Sequence, residues 1–264
     1  MGKLKYTLAL LSCSLLAACS VVPGTYFSYN SLNDTYVANG KTHHVYIVPV
    51  TANSIAKHYS APRDYRVGPY DILNIIVWDH PELTTPTNQE ANPEQTGILV
   101  SQEGDIFFPF AGSVKVSGLT LNQIRVLLES RIRAYIRDPQ ISVRVAVFRS
   151  KEVQVMGEVG KAGVQPITDR PLSIMDAINN AGGANTVTAN TSQIYVLRYT
   201  KGNIYAFWVN AQMPDQVVAA EHFYLRNNDV VYVPPAGVSA WNRVITQILP
   251  TLSGASSTKS VTGV

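Results

Sequence analysis

Period-two alternation is clearest where Ile141, Val143, Val145 and Val147 are separated by Ser142, Arg144 and Ala146, which predicts a half-buried strand. The run from Ile72 to Trp78 is apolar apart from Asn74 and predicts a buried strand. Shorter strand material follows Gly104-Asp105 at Ile106-Phe107-Phe108, and Ser113 to Ser117 alternates. Pro81 to Gly97 carries three prolines and few large apolar residues, so it reads as a loop. The period then changes. Leu121, Ile124, Leu128, Ile132 and Tyr135 fall on one helical face, with Arg125, Glu129 and Arg133 elsewhere. Thr120 and Gln123 supply a capping box at its start. Asp138-Pro139 is expected to stop it, because the residue before proline avoids helical backbone. Residues 61–150 therefore predict an α+β unit.

A second unit spans 151–236. Val153 and Val155 lead into Gly157, and Gly157, Gly160 and Gly163 punctuate a turn that needs close backbone approach. Ser173 can cap a short helix from Ile174 to Ala181, ended at Gly182-Gly183, where glycine accepts left-handed backbone cheaply. Ile194–Tyr199 and Ile204–Val209 flank Lys201-Gly202 like a hairpin. Phe223–Leu225 and Val230–Val233 supply the last strand material before Pro234-Pro235. Strands around a single helix describe a β-grasp-like module. Ahead of both units, residues 19–60 read as an extended arm packed along the folded part, with one strand-like run at Val45-Tyr46-Ile47-Val48.

Residues 237–264 follow a different pattern. Trp241, Val244, Ile245, Ile248, Leu249 and Leu252 occupy an arc of about 140° on a helix, and Asn242, Arg243, Thr246 and Gln247 lie outside it. Such a helix can dock on its own core, fill a partner's groove, or line a ring with copies of itself. From Ser239 to Leu252 it extends only about 21 Å against roughly 30 Å of hydrocarbon, and Pro250 interrupts one helical bond.

The chain begins with Lys3 and Lys5 and then an almost uncharged apolar run, Tyr6 to Leu16. It closes on Leu16-Ala17-Ala18-Cys19, which resembles the bacterial lipobox. The resemblance implies that residues 1–18 are a removed signal and that Cys19 carries a diacylglycerol on sulfur and an acyl chain on its new amino group. With Ser20 following, it implies transfer to the outer membrane with the body in the periplasm. Several acyl chains anchor far more firmly than one. Without the signal, 19 basic residues face 18 acidic ones, which argues against a nucleic-acid partner and against a polybasic membrane patch. Cys13 and Cys19 are the only cysteines, one in the signal and one bearing lipid, so neither a disulfide nor a cysteine metal site is expected.

No catalytic constellation stands out. Asp79, His80 and Glu82 cluster near a strand end but lack a third partner for acid–base or metal chemistry, and a polar surface turn is the simpler reading. His43-His44 sits in the polar arm with no metal role expected. Gly157-Glu-Val-Gly160-Lys161-Ala-Gly163 fails the spacing of a phosphate loop. No cofactor and no metal are expected beyond the lipid on Cys19. Fourteen tyrosines offer faces for sugar stacking, although most such residues simply pack.

Tyr65-Arg-Val-Gly-Pro-Tyr-Asp-Ile-Leu-Asn74, Val77-Trp-Asp-His-Pro-Glu-Leu83, Gly104-Asp-Ile-Phe-Phe-Pro-Phe-Ala-Gly112 and Asp138-Pro-Gln140 together resemble the export domain of outer-membrane polysaccharide export lipoproteins of the Wza type. Gly157-Glu-Val-Gly160, Pro171-Leu172 and Asp176-Ala-Ile-Asn-Asn-Ala-Gly-Gly183 resemble that family's soluble-ligand-binding β-grasp module. Trp241-Asn-Arg-Val244 with Gln247-Ile-Leu-Pro250 is similar to its C-terminal membrane helix. The resemblance implies a homo-oligomeric ring around a periplasmic chamber, a pore of C-terminal helices, and an inner-membrane polysaccharide co-polymerase as partner. Trp241, Val244, Ile245, Ile248, Leu249 and Leu252 then face lipid, Arg243 and Gln247 face the lumen or a neighbouring subunit, and the C-terminus reaches the cell surface. One β-grasp module fits between Lys151 and Pro234 where larger members carry two, so a shorter chamber is expected. The rival expectation is a saccharide-binding or scaffolding lipoprotein that makes no pore and docks a partner through the same helix.

Overall fold

Buried apolar side chains collect in two cores, one drawn from residues 65–143 and the other from residues 50–233. The computed structural model describes residues 34–38, 41–58, 64–84 and 93–236. In chain order its elements are β1 (Asp34–Ala38), β2 (Lys41–Pro49), α1 (Ala52–His58), β3 (Ile72–Val77), α2 (Pro93–Thr96), β4 (Ile98–Leu99), β5 (Asp105–Phe108), β6 (Gly112–Lys115) and α3 (Leu121–Ile132). They continue with β7 (Ile141–Val147), β8 (Glu152–Gly157), β9 (Gly163–Pro166), α4 (Ile174–Asn180), β10 (Ile194–Thr200), β11 (Asn203–Val209), α5 (Pro214–Glu221) and β12 (Val230–Val233). The fold is α+β, as expected. Among the described residues no helix is long and apolar enough to cross a membrane.

In the first lobe β3 runs antiparallel between β4 and β7, with a register shift at Ile72/Leu73, and β5 pairs with β6. Leu73, Ile75 and Val77 alternate into a core shared with Ile124, Leu128 and Ile132 of α3. The capping box forms: the Gln123 amide donates to the Thr120 hydroxyl and the Thr120 amide to the Gln123 side chain. Two expectations change here. The helix ends at Ile132, before Asp138-Pro139, with the Arg133 N–H on the Glu129 carbonyl. A tighter turn follows, the Tyr135 N–H on the Ile132 carbonyl, and it swings Tyr135 off the core face to 66% exposure. The stretch expected as a loop after Pro81 holds a 3₁₀ turn at Pro81–Leu83 and the short α2. Both begin at a proline, whose missing N–H costs nothing in a first turn.

The second lobe is built on one sheet, order β1-β2-β11-β10-β12-β8-β9. The hairpin of β10 and β11 turns at Lys201 and Gly202, both with positive φ. β12 then pairs antiparallel with β10 and parallel with β8. The strand-like run of the arm is part of this sheet: Val45–Pro49 of β2 pair in parallel with residues 204–208 of β11. Tyr46 stacks on Tyr205 at 5.2 Å across that pair. The single-helix expectation is corrected, because α5 packs beside α4 and α1 packs on α5. Phe223–Leu225 is not a strand. It makes one isolated bridge, Ser173 to Tyr224, and buries Phe223 completely.

Candidate functional site

The first export-type motif converges on Asp71. Gly68-Pro69-Tyr70-Asp71 makes a turn, with Tyr70 in left-handed backbone at φ 71° and the Asp71 N–H 3.3 Å from the Gly68 carbonyl. The Asp71 side chain is fully buried and surrounded by donors. Its Oδ1 accepts the N–H groups of Arg149 and Ser150, each at 2.9 Å. Its Oδ2 accepts the Tyr65 hydroxyl at 2.7 Å, the Gly68 N–H at 2.9 Å and the Ser150 hydroxyl at 2.9 Å. A carboxylate offers about four lone-pair sites, so five donors leave nothing for a substrate proton. Burial pushes the Tyr65 hydroxyl above its ordinary pKa, which keeps it a donor. Lys151 closes the cluster: its Nζ donates to the Arg66 carbonyl at 2.5 Å and lies 4.3 Å from the Tyr65 ring centroid. Burial draws its ammonium below the ordinary value, against the attraction of Asp71. β8 begins at the next residue, so this clasp sets where the second lobe leaves the first.

The β-grasp motifs are also architectural. Gly157 has φ 93°, and a Cβ there would lie 2.0 Å from the Val233 carbonyl oxygen, the close backbone approach anticipated from the glycine spacing. Ser173 and Asp176 form a reciprocal capping box, of which the spacing S-x-x-D was a readable signal. The Arg198–Asp229 pair was not foreseen. Nε and Nη2 of Arg198 reach the two carboxylate oxygens of Asp229 at 2.8 and 2.6 Å, and both side chains are buried. The guanidinium also lies 5.2 Å from the Phe207 ring and 5.4 Å from that of Phe223. Burial pushes the Asp229 carboxyl up, opposed by Arg198 and by the Arg226 N–H. Sequence period cannot reveal such a pair, since its members are 31 residues apart.

The remaining chemistry is on the surface. His80 Nδ1 lies 2.9 Å from Glu82 Oε1, both groups facing solvent, and Glu82's own N–H together with His80 holds its carboxyl below the ordinary value. Among the described residues no three His, Cys, Asp or Glu side chains come together as a metal site. Tyr65, Tyr195 and Tyr232 are buried, whereas Tyr70, Trp78, Phe107, Phe110 and Tyr135 of the first lobe are half or more exposed. Phe110 and Tyr135 lie 5.1 Å apart at 30°. Cys19, Trp241, Arg243, Val244, Ile245, Gln247, Ile248, Leu249 and Leu252 lie outside the described residues.

Three family models match in order along the chain. They are the polysaccharide biosynthesis/export protein at residues 59–146, the SLBB domain at 151–233 and the outer-membrane lipoprotein Wza C-terminal domain at 236–261. The chain is 34% identical over 261 residues to the EPS I polysaccharide export outer membrane protein EpsA of Ralstonia solanacearum, covering 88% of this chain and 67% of that protein. It is 28% identical over 174 residues to the capsule polysaccharide export outer membrane protein CtrA of Neisseria meningitidis serogroup B, covering 61% of this chain and 41% of that one. The Vi polysaccharide export protein VexA/TviF of Salmonella typhi matches at 25% identity over 101 residues, 38% of this chain and 28% of that one. The chain thus spans about two thirds of the length of its Ralstonia relatives, 67% and 64%, and less of the others. That family comprises export proteins, not enzymes. By the identity with EpsA, and by the ordered match of all three models, the chain belongs to the outer-membrane polysaccharide export proteins of the Wza type.

Proposed function

We propose that this chain is an outer-membrane lipoprotein whose copies form a ring and channel through which a capsular or extracellular polysaccharide leaves the cell. The observation that carries the reading is the order of the matched models, export domain, SLBB domain and Wza C-terminal domain, on a chain whose Leu16-Ala17-Ala18-Cys19 resembles a lipobox. In this reading Cys19 holds the ring to the inner leaflet of the outer membrane. Trp241, Val244, Ile245, Ile248, Leu249 and Leu252 face lipid, and Arg243 and Gln247 face the lumen or the next subunit. A charged group in such a helix is tolerable only where it meets water or a partner. The polymer arrives from an inner-membrane co-polymerase, which with synthesis supplies the driving force.

The test combines two measurements on the full-length lipoprotein. Its mass in mild detergent should be a multiple of the protomer's, and an epitope after Val264 should be labelled on intact cells. A monomer, or labelling only after permeabilisation, would replace the channel by a periplasmic scaffold that docks a partner through its C-terminal helix.

A further inference from the structure

The first lobe carries exposed aromatic side chains that neither the clasp nor the cores use. Phe107 lies on the outer side of β5, between the buried Ile106 and Phe108, and is 73% exposed. Phe110 is at the tip of the β5–β6 turn at φ 62°, 53% exposed, with its ring 5.1 Å from that of Tyr135. A large aromatic held out in left-handed backbone at a hairpin tip gains nothing for the core. Within four residues of Tyr135 along the chain stand Arg131, Arg133 and Arg137, all exposed. None of the three makes an ion pair or side-chain hydrogen bond among the described residues. The adjacent carboxylate of α3, Glu129, is taken by Arg125 at 2.6 Å. Asp138 is the only acid in the segment 131–138, so three guanidinium groups against one carboxylate leave a local excess of two positive charges. The chain without its signal is close to neutral, so this concentration is local.

We propose that this face binds an acidic polysaccharide, one whose sugars carry carboxylates. This rests on the export reading and names the substrate class. Sugar rings have apolar faces that lie on aromatic rings and polar edges that need hydrogen bonds. Guanidinium forks match carboxylates bidentately. The segment interleaves both kinds of group: a ring pair, one ring bearing a hydroxyl, and three exposed forks within four residues of that ring along the chain. A lipid surface would be met better by an all-apolar tip with a basic rim. Here Tyr135 stands between arginines along the chain instead of apart from them.

The test uses the full-length lipoprotein in mild detergent, titrated calorimetrically with oligogalacturonate and, separately, with a neutral dextran oligomer. Oligogalacturonate should bind, dextran should not, and affinity should fall between 50 and 300 mM salt as exposed charges are screened. The triple variant R131Q/R133Q/R137Q should lose about tenfold or more in affinity, and Phe110→Leu a smaller factor. All four are surface changes, and unchanged thermal unfolding confirms the fold. Equal binding of the two oligomers, or an unaffected triple variant, overturns the proposal. So does binding to phosphatidylglycerol vesicles that the triple variant abolishes while oligogalacturonate binding persists, which would make the face a membrane contact. A triple variant of altered particle mass would make it a contact between copies. If wild-type protein restores export to a null strain but binds no acidic oligomer, this inference falls and the export reading stands.

Discussion

Replacing Asp71 is the sharpest test of how the first lobe is closed. In Asp71→Ala the Tyr65 and Ser150 hydroxyls and the N–H groups of Gly68, Arg149 and Ser150 all lose their acceptor at once. A buried donor left unsatisfied costs about 1–3 kcal/mol. One of the two hydroxyls can donate to the other, since Tyr65 Oη and Ser150 Oγ are 2.9 Å apart, so the three backbone groups dominate. The expected loss is about 3–5 kcal/mol, a large part of the roughly 5–15 kcal/mol a domain has. Asp71→Asn should cost less. An amide oxygen at the Oδ1 position keeps the bonds from Arg149 and Ser150, and the hydroxyls can rotate to accept from the new NH₂. Only the Gly68 N–H then faces a donor, for about 1–3 kcal/mol. Hydrogen exchange reads the result locally. The amides of Gly68, Arg149 and Ser150 should exchange at least a hundredfold faster in Asp71→Ala, by about 1.4 kcal/mol per tenfold, with Asp71→Asn between it and wild type. Unchanged exchange in Asp71→Ala, or an Asn variant as damaged as the Ala variant, would refute the clasp.

Further outcomes follow from the second lobe and the anchor. Arg198→Met should cost about 3–5 kcal/mol in chemical denaturation by stranding Asp229, and R198M/D229L should recover most of it. Failure of the double variant to recover would mean that the pair does more than neutralise itself. Gly157→Ala should destabilise by more than about 3 kcal/mol, since the new Cβ meets the Val233 carbonyl at 2.0 Å, and an unchanged melting temperature would contradict that contact. Tyr195 as a residue is 1% exposed, and burial pushes its hydroxyl from 10.0 to about 12. A folded value above the unfolded one gives stability that is intact below pH about 10 and is lost as pH rises towards about 12, in all on the order of 3 kcal/mol. Tyr195→Phe should flatten that alkaline decline. Cys19→Ser should abolish incorporation of labelled palmitate, and retained label would remove the lipobox reading.

Much of this protein was legible because the signals are local. The alternation of Ile141–Val147, the Thr120 capping box, the Lys201-Gly202 hairpin and the strand at Val230–Val233 each depend on neighbours within a few residues, and each formed where expected. The ordered motifs of the export and β-grasp segments were legible for the same reason. What the chain could not announce lies in pairings far apart along it. β2 is placed by β11, about 160 residues on, and becomes a sheet strand because the β11 edge offers it backbone partners. α5 was missed because Pro214–Glu221 is too short to show a period, and its packing on α4, α1 and β11 is what supports it. Tyr135 keeps helical spacing with Ile132 yet faces solvent, since a turn after Ile132 redirects it. Asp71 could be seen as a motif residue, but five donors from positions 65 to 150 decide that it ties the two ends of the first lobe together instead of doing chemistry. Local hydrogen bonds and side-chain period specify elements, while burial and long-range partners decide what each residue in them is for.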